Sequence, residues 1–573
     1  MKHLLILIIS IVICVAPASA ESIKAFSGAT LLKTNEPGVI KNCIVLTKDD
    51  KIIAVSPTIK IPEGTDVIDL AGKYIIPGMI DGHIHFFQSG GLYARPDGLD
   101  LRHRKPYLDE LKETRTNIDD MFRRYIRSGV TTVADMGGPM WNFDVRDQSL
   151  TAEAAPRVFI TGPLIASYQP DALTTDDPPI VKVTSISEAL KMVRKQAGKK
   201  ADFIKIWYVV SKKTSAGLEE FFPIAKAICD ESHKLGLKVY VHATELATAK
   251  KAIKAGADVL AHIVVDKEVD DEFLKLCKTN NIIIMPTLRV FNSYSEVYSK
   301  QLKLSATEHL YGNPYTIGSF FDMYELKDEE LGERQRKLPR EDKPIAPSKI
   351  ILNNLKKIFD YGITIANGTD AGNVGCLHGP AIFRDYEIMS MAGLTNPEIL
   401  KIATLNSAEM LGIKDRIGSV EIGKKADFVV LNSNPYDDIQ NTSDIFFTVK
   451  DGKIYRPEEI LKVTPEDLAQ VQLNAYNAHD IEAFLAVYSD DVEVYNFPNE
   501  LVYTGKDKMR KLYTPYFKEA VGLHCELVNR ITCGKYVTDR ERVTGNPRMD
   551  VINAVAIYEV DEGLINKIWF IKE

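Results

Sequence analysis

The chain is predicted to be an α/β protein built on a (β/α)8 TIM barrel, with a composite β-sandwich from both flanks and a C-terminal α+β domain. Three observations predict this. Eight short apolar runs alternate with helix-periodic stretches between residues 79 and 366. Turn-punctuated, strand-like segments stand on both sides of them, and after Pro465 the order changes to helices first and long strands afterwards. At 573 residues the chain exceeds one ordinary core, so several domains are expected.

Composition narrows the function. A hydrophobic share of 45% with 26% charged residues is that of a globular protein able to bury large cores. The net charge of −7 includes no basic block long enough to follow a phosphate backbone, which leaves nucleic acid without support as a partner. Lys2, the apolar run 4–15 and Ala18-Ser19-Ala20 read as a signal peptide over residues 1–20, cleaved near Ala20. Export to the periplasm or beyond is therefore expected. The apolar run falls short of the roughly 20 residues a spanning helix needs, so no membrane insertion is expected. Six cysteines remain after cleavage, with no CxxC spacing among them. Cys525 and Cys533 are placed either across a hairpin, where they would pair, or as independent buried thiols, the preferred reading.

Residues 21–74 are dense in Val, Ile and Thr, broken at Glu36-Pro37-Gly38 and Pro62-Glu63-Gly64, and form the first part of the sandwich. The barrel spans 75–413. Its expected strands are 79–85, 131–136, 157–165, 202–209, 238–242, 259–264, 282–287 and 363–366, with helical periodicity at 187–197 and 218–235 among others. The interval 291–349 is long, rich in Tyr, Lys and Glu, and carries four prolines; it is read as partly helical and as a lid or a solvent-exposed decoration. Strand texture returns at 414–460 as the second part of the sandwich. Residues 465–573 then give a helix, two strands, a helix and a large antiparallel sheet.

Six residues lie at or near the ends of barrel strands: His83, His85, Lys205, His242, His262 and Asp370. Residues two apart on a strand face one side, so His83 and His85 can share an ion. Lys205 sits among Phe203, Ile204, Ile206 and Trp207, where burial disfavours the ammonium and favours carbamylation by carbon dioxide, which makes an anionic oxygen ligand. A single strand-end histidine is more often a hydrogen-bonded core residue. His242 and His262 at successive strand ends, added to the HxH pair, make coincidence a poor account. Asp370, in a glycine-rich bend, can bind a cation and accept a proton from water. Four imidazoles and two oxygen ligands suit two divalent cations, Zn²⁺ being favoured, about 3.5–4 Å apart around a bridging hydroxide.

These motifs resemble those of the amidohydrolase superfamily over most of residues 22–458. Its anchors here are GMIDGHIHF, ADFIKIW, VYVHA, VLAHI and NGTDAG, together with the stretch 400–432. The lysine-containing pattern is similar to the prolidase and imidazolonepropionase-like branch. The resemblance implies that His83, His85 and Asp370 hold the more buried metal, His242 and His262 the exposed one, and carboxylated Lys205 both. Hydroxide would attack a carbonyl, and Asp370 would act as general base and then acid toward the leaving amine. The tip of the second strand, Asp135-Met136-Gly137-Gly138, carries no histidine to polarise a carbonyl. Residues 465–573 are similar to the SnoaL-like, nuclear transport factor 2-like cone, on the strength of LNAYNAHDIEAFLAVYSDDVEVY and INKIWFIKE. That fold hosts catalysts, ligand cups and dimer interfaces. A homodimer or higher oligomer through this domain is expected, with a second catalytic centre at Asp490 or His524 as the minority reading.

Position alone nominates Tyr208, Arg289 and His378 as substrate contacts, Arg289 as a carboxylate clamp. The leading function is metal-dependent hydrolysis of a carbon–nitrogen bond in a small molecule, a dipeptide or N-acyl amino acid above others. Two alternatives stay open: a mononuclear deaminase or cyclic amide or lactone hydrolase, and a non-catalytic small-molecule binding protein.

Overall fold

The computed structural model describes residues 23–572 apart from 37, 211, 213–214, 339–344, 521 and 548, so the expected signal segment lies outside the described residues. Its central strands are buried on both faces, which explains their near-continuous apolar character. In Phe203–Trp207 and Lys238–His242 the side chains alternate. Ile204, Ile206, Val239 and Val241 pack with the surrounding helices in the largest apolar cluster. Phe203 and Tyr240 face the other way, into a cluster with Ala134, Ala261, Met285, Ala366 and Met410.

These strands form two parallel sheets. One runs Ile180–Lys182, Leu164–Ala166, Phe203–Trp207, Lys238–His242, Val259–Ala261, Ile283–Met285; the other runs Met79–Ile84, Val130–Asp135, Arg157–Ile160. Backbone bonds outside the ladders link their edges. Asp202 N–H donates to Ile160 O at 2.9 Å, Ala366 N–H to Ile284 O at 2.9 Å, and Gly82 N–H to Asn367 O at 3.0 Å. Two expected strands differ from their observed form. The run 157–165 is split into Arg157–Ile160 and Leu164–Ala166 at Gly162-Pro163, where proline has no N–H to offer a ladder. Residues 363–366 make only an isolated bridge, Ile284 to Ile365.

The two flanks meet in one eight-stranded sheet. Tyr74–Pro77 pairs parallel with Ile23–Leu32 and antiparallel with Phe428–Leu431, over a core of Phe26, Val45, Ile75, Phe428 and Phe447. The C-terminal domain carries a six-stranded sheet in the order Glu500–Thr504, Tyr488–Asn496, Leu564–Lys572, Val551–Asp561, Tyr536–Thr544, His524–Cys533. Helices Pro465–Asn477, Ile481–Ala486 and Lys506–Glu519 accompany it. Cys525 and Cys533 lie on one strand rather than across a hairpin, and both are free. No helix among the described residues is long and apolar enough to cross a membrane.

The described part of the interval 291–349 is packed against the rest of the molecule. Its helices Val290–Tyr298 and Pro314–Phe321 join an apolar cluster with Leu92, Leu99, Val374 and Leu377. It also braces the C-terminal domain: Asn474 Nδ2 donates to Pro314 O at 2.7 Å, and the His524 ring stacks on Tyr324 at 5.4 Å.

Candidate metal centre

His83, His85 and Asp370 present ligand atoms that all lie within 4.8 Å of one another. Asp370 Oδ1 is 3.4 Å from His83 Nε2 and 3.1 Å from His85 Nε2. The other imidazoles extend the group as a chain of rings, His83 to His262 at 4.9 Å between centroids and His262 to His242 at 4.3 Å. Lys205 shares the face of Phe203 on its strand, and His242 that of Tyr240. Gly368 permits the close approach: a Cβ there would lie 2.7 Å from His83 Cβ.

The ligands are held from behind. His85 Nδ1 bonds to Gly137 O at 2.7 Å and leaves Nε2 for the centre. His262 Nδ1 contacts Thr287 Oγ1 at 2.6 Å. Asp370 N–H donates to His83 O at 2.7 Å, and Asn373 Nδ2 donates to Asp370 Oδ1 at 2.8 Å. Asn373 Oδ1 in turn accepts from Arg95 Nη1 and Tyr294 hydroxyl, both at 2.6 Å, while Arg95 grips Asp97 with two bonds. Beneath them Asp81 accepts from the backbone N–H groups of His83 and Thr369 and from the Thr369 hydroxyl.

Burial sets the protonation states. It holds Lys205 down to about 7, against an opposing pull from Asp370, so the amine is poised to be neutral. Burial likewise lowers His262 to about 3, and lowers His83 and His242 well below the ordinary imidazole range, with Lys205 adding to the effect on both. Burial alone would raise Asp370, but the imidazoles of His83, His85 and His262 carry it well below the usual carboxylate range. The set thus includes neutral imidazoles at His83, His242 and His262, an ionised carboxylate, and an amine that loses its proton near neutral pH, the states in which such groups bind cations. Two orphaned atoms fit the same reading: Lys205 Nζ and His83 Nδ1 are buried without a hydrogen-bond partner.

The three proposed substrate contacts have other partners. Tyr208 lines a cavity of about 180 Å³ together with His242 and Lys212, but its hydroxyl donates to Leu218 O and its ring packs on Phe221. Arg289 is buried, its Nη1 bound to Glu296 at 2.6 Å, while its Nε and Nη2 are buried without a hydrogen-bond partner. His378 stacks on Phe86, with Nδ1 on the Tyr125 hydroxyl and Nε2 on Gln88 O. His524 is engaged with Tyr324, and Asp490 with Lys506 at 3.0 Å. Residues missed from sequence are Arg95, Gly137, Thr287, Tyr294 and Asn373. Asn373 alone left a signal, being three positions past Asp370 in the same bend.

Fold and site together define a metal-dependent hydrolase of carbon–nitrogen bonds. Comparison with known proteins agrees: residues 74–457 match the amidohydrolase family and 469–568 a SnoaL-like domain. The chain belongs to the amidohydrolase family, whose members generally use divalent metal ions. It is similar to the imidazolonepropionase of Alkaliphilus metalliredigens, 24% identical over 435 residues that cover 70% of this chain and 86% of the relative. That of Fusobacterium nucleatum is 22% identical over 420 residues, covering 68% and 85%. Among solved structures, a Xaa-Pro dipeptidase with methionine in its active site aligns at a TM-score of 0.56 and 23% identity, over 76% of this chain and all of the other. A prolidase-like protein from Bifidobacterium longum aligns at 0.56 and 22%, over 79% and 99%. These structural likenesses speak to the fold.

Proposed function

We propose that the chain is an exported hydrolase that cleaves the amide bond of a dipeptide or N-acyl amino acid, working at a two-cation centre with Lys205 carried as its carbamate. The observation that carries this is the buried, partnerless Lys205 Nζ, held down to about 7 beside the imidazoles of His83, His242 and His262. A neutral amine attacks carbon dioxide; the new N–C bond forms as the nitrogen gives up a proton, leaving an anionic oxygen ligand. In this reading the parallel strands close into one barrel whose mouth gathers the ligands. His83, His85 and Asp370 would hold one ion, His242 and His262 the other, and the carbamate both. Zn²⁺, suited to imidazole and carboxylate donors, would supply an acidified water and a polarised carbonyl.

Asp370 Oδ1 is occupied by the histidines and Asn373, so Oδ2 is the atom that takes the proton from the attacking water and returns it to the departing amine. Lys212, which lines the small cavity beside His242, is placed for a substrate carboxylate. The imidazolonepropionase relatives favour a second reading, ring opening of a cyclic amide at the same centre. The deciding experiment counts metal per chain after reconstitution with and without bicarbonate. It also assays dipeptides, N-acyl amino acids, lactones and cyclic imides. Two ions with bicarbonate, fewer without, and preference for linear amides are expected. One ion under both conditions with turnover of cyclic substrates alone would replace the first reading by the second.

A further inference from the structure

The C-terminal domain encloses a cavity of about 600 Å³ that the hydrolytic centre does not use. Its size is that of a small-molecule site. Tyrosines 476, 488, 503, 513 and 516 line it, with Leu473 and Val543. Glu541 lies on the same lining, buried on the inward face of strand Tyr536–Thr544.

Among the described residues this carboxyl has no ion-pair partner, and only Arg530, committed to Asp539, pulls on it from a distance. Two residues earlier on the strand Asp539, equally buried, is neutralised by two bonds from Arg530 at 2.7 and 2.6 Å. Glu541 instead accepts one neutral bond on Oε1, from Tyr558 hydroxyl at 2.9 Å, and none of the described residues donates to Oε2. Burial pushes it up to about 7, Asp539 adding to that and the Tyr558 bond opposing it. Among the described residues the one cation in the lining is Lys511, which is exposed. A buried acid left without a cation is costly unless something supplies the charge. Phenol rings around it are the surroundings that stabilise an organic cation.

We propose that this cavity is a second small-molecule site, selective for a protonated organic amine with an apolar body, the ammonium on Glu541 and the body against the tyrosines. An anion would meet Glu541 and Glu519, and a neutral ligand would leave the carboxyl unpaired. The proposal stands apart from the barrel chemistry.

The test titrates the full chain calorimetrically with phenethylamine, and with 2-phenylethanol and 3-phenylpropanoate as neutral and anionic controls. The amine is expected to bind at least tenfold tighter than either. Glu541→Gln is expected to erase that preference while leaving amide hydrolysis unchanged. Equal binding of amine and alcohol, or a folded E541Q that keeps the preference, would overturn the proposal. Should E541Q fail to fold, the wild-type pH series decides. Amine affinity should rise about tenfold from pH 6 to pH 8 as Glu541 ionises, and a flat profile would overturn the proposal. The groups facing Glu541 are Tyr558, Tyr488, Tyr513, Cys525 and the Arg530–Asp539 pair, with Lys511 and Glu519 also in the lining. Burial holds the three phenols and the thiol above their ordinary values, outside that window.

Discussion

Lys205→Met should stabilise the metal-free chain while abolishing its chemistry. The folded protein holds the Lys205 amine at about 7, whereas the unfolded chain binds its proton up to 10.5. Between those values the unfolded state carries more protons, so this group's contribution to stability rises with pH. The imbalance costs the folded state about 4 kcal/mol at pH 7 and about 2 kcal/mol at pH 9. Methionine is one atom shorter than lysine but close to it in volume, so the substitution removes that cost with little loss of packing. The assay is urea unfolding, followed through the transition of the domain that holds Lys205, after chelation in carbonate-free buffer. Asp81 and Asp385, pushed up by burial to about 7 and about 8, titrate in the same window but are present in both proteins and cancel. K205M should exceed wild type by about 4 kcal/mol at pH 7, with the gap halved at pH 9. A variant no more stable than wild type at pH 7, or a gap indifferent to pH, would refute the buried neutral amine.

Three further outcomes follow from the site. Asp370→Asn should lower the hydrolytic rate by roughly 10²-fold or more, read as kcat on the best amide substrate. Thr287→Val removes the 2.6 Å contact that fixes the His262 ring, and should weaken metal binding by about 10–100-fold in a competitive chelator titration. Gly137 has φ +113°, and a Cβ there would lie 2.6 Å from Gly162 O. Gly137→Ala should therefore shift the carbonyl that orients His85, lowering metal affinity and costing about 1–3 kcal/mol of stability by thermal unfolding.

The candidate ligands were legible because strands buried on both faces announce themselves as apolar runs, and a polar residue at the end of one stands out. Their support was not. Gly137 acts through its carbonyl, which carries no side-chain identity, and Arg95 and Tyr294 reach Asn373 from segments with no strand periodicity to align them. Arg289 is tied to Glu296 for a readable reason. It precedes helix Val290–Tyr298, and Glu296, seven residues on, returns to the same helical face two turns away. The interval 291–349 has the composition of an exposed excursion. Only the fold shows that its apolar residues pack against Leu92 and Leu99 while its Pro314 carbonyl accepts from Asn474 of the C-terminal domain.

Strand alternation alone would aim one ligand the wrong way. Ala261 belongs to the inward cluster and Leu260 to the outward one, so an extended backbone would send His262 outward among the helices. His262 instead adopts φ +82°, the left-handed region that β-carbon-bearing residues avoid at a cost of roughly 1–2 kcal/mol. Its N–H is anchored on Met285 O at 2.8 Å, and its ring is caught by Thr287, itself at φ +47°. Asp370 repeats the device at φ +64°, pinned to His83 O. Strain therefore collects at the two positions where a strand tip must be turned toward its neighbours, and the apolar core supplies the stability that sustains it. His242 faces the centre by plain alternation with Tyr240, whereas His262 faces it only because the backbone beneath it is forced round in this way.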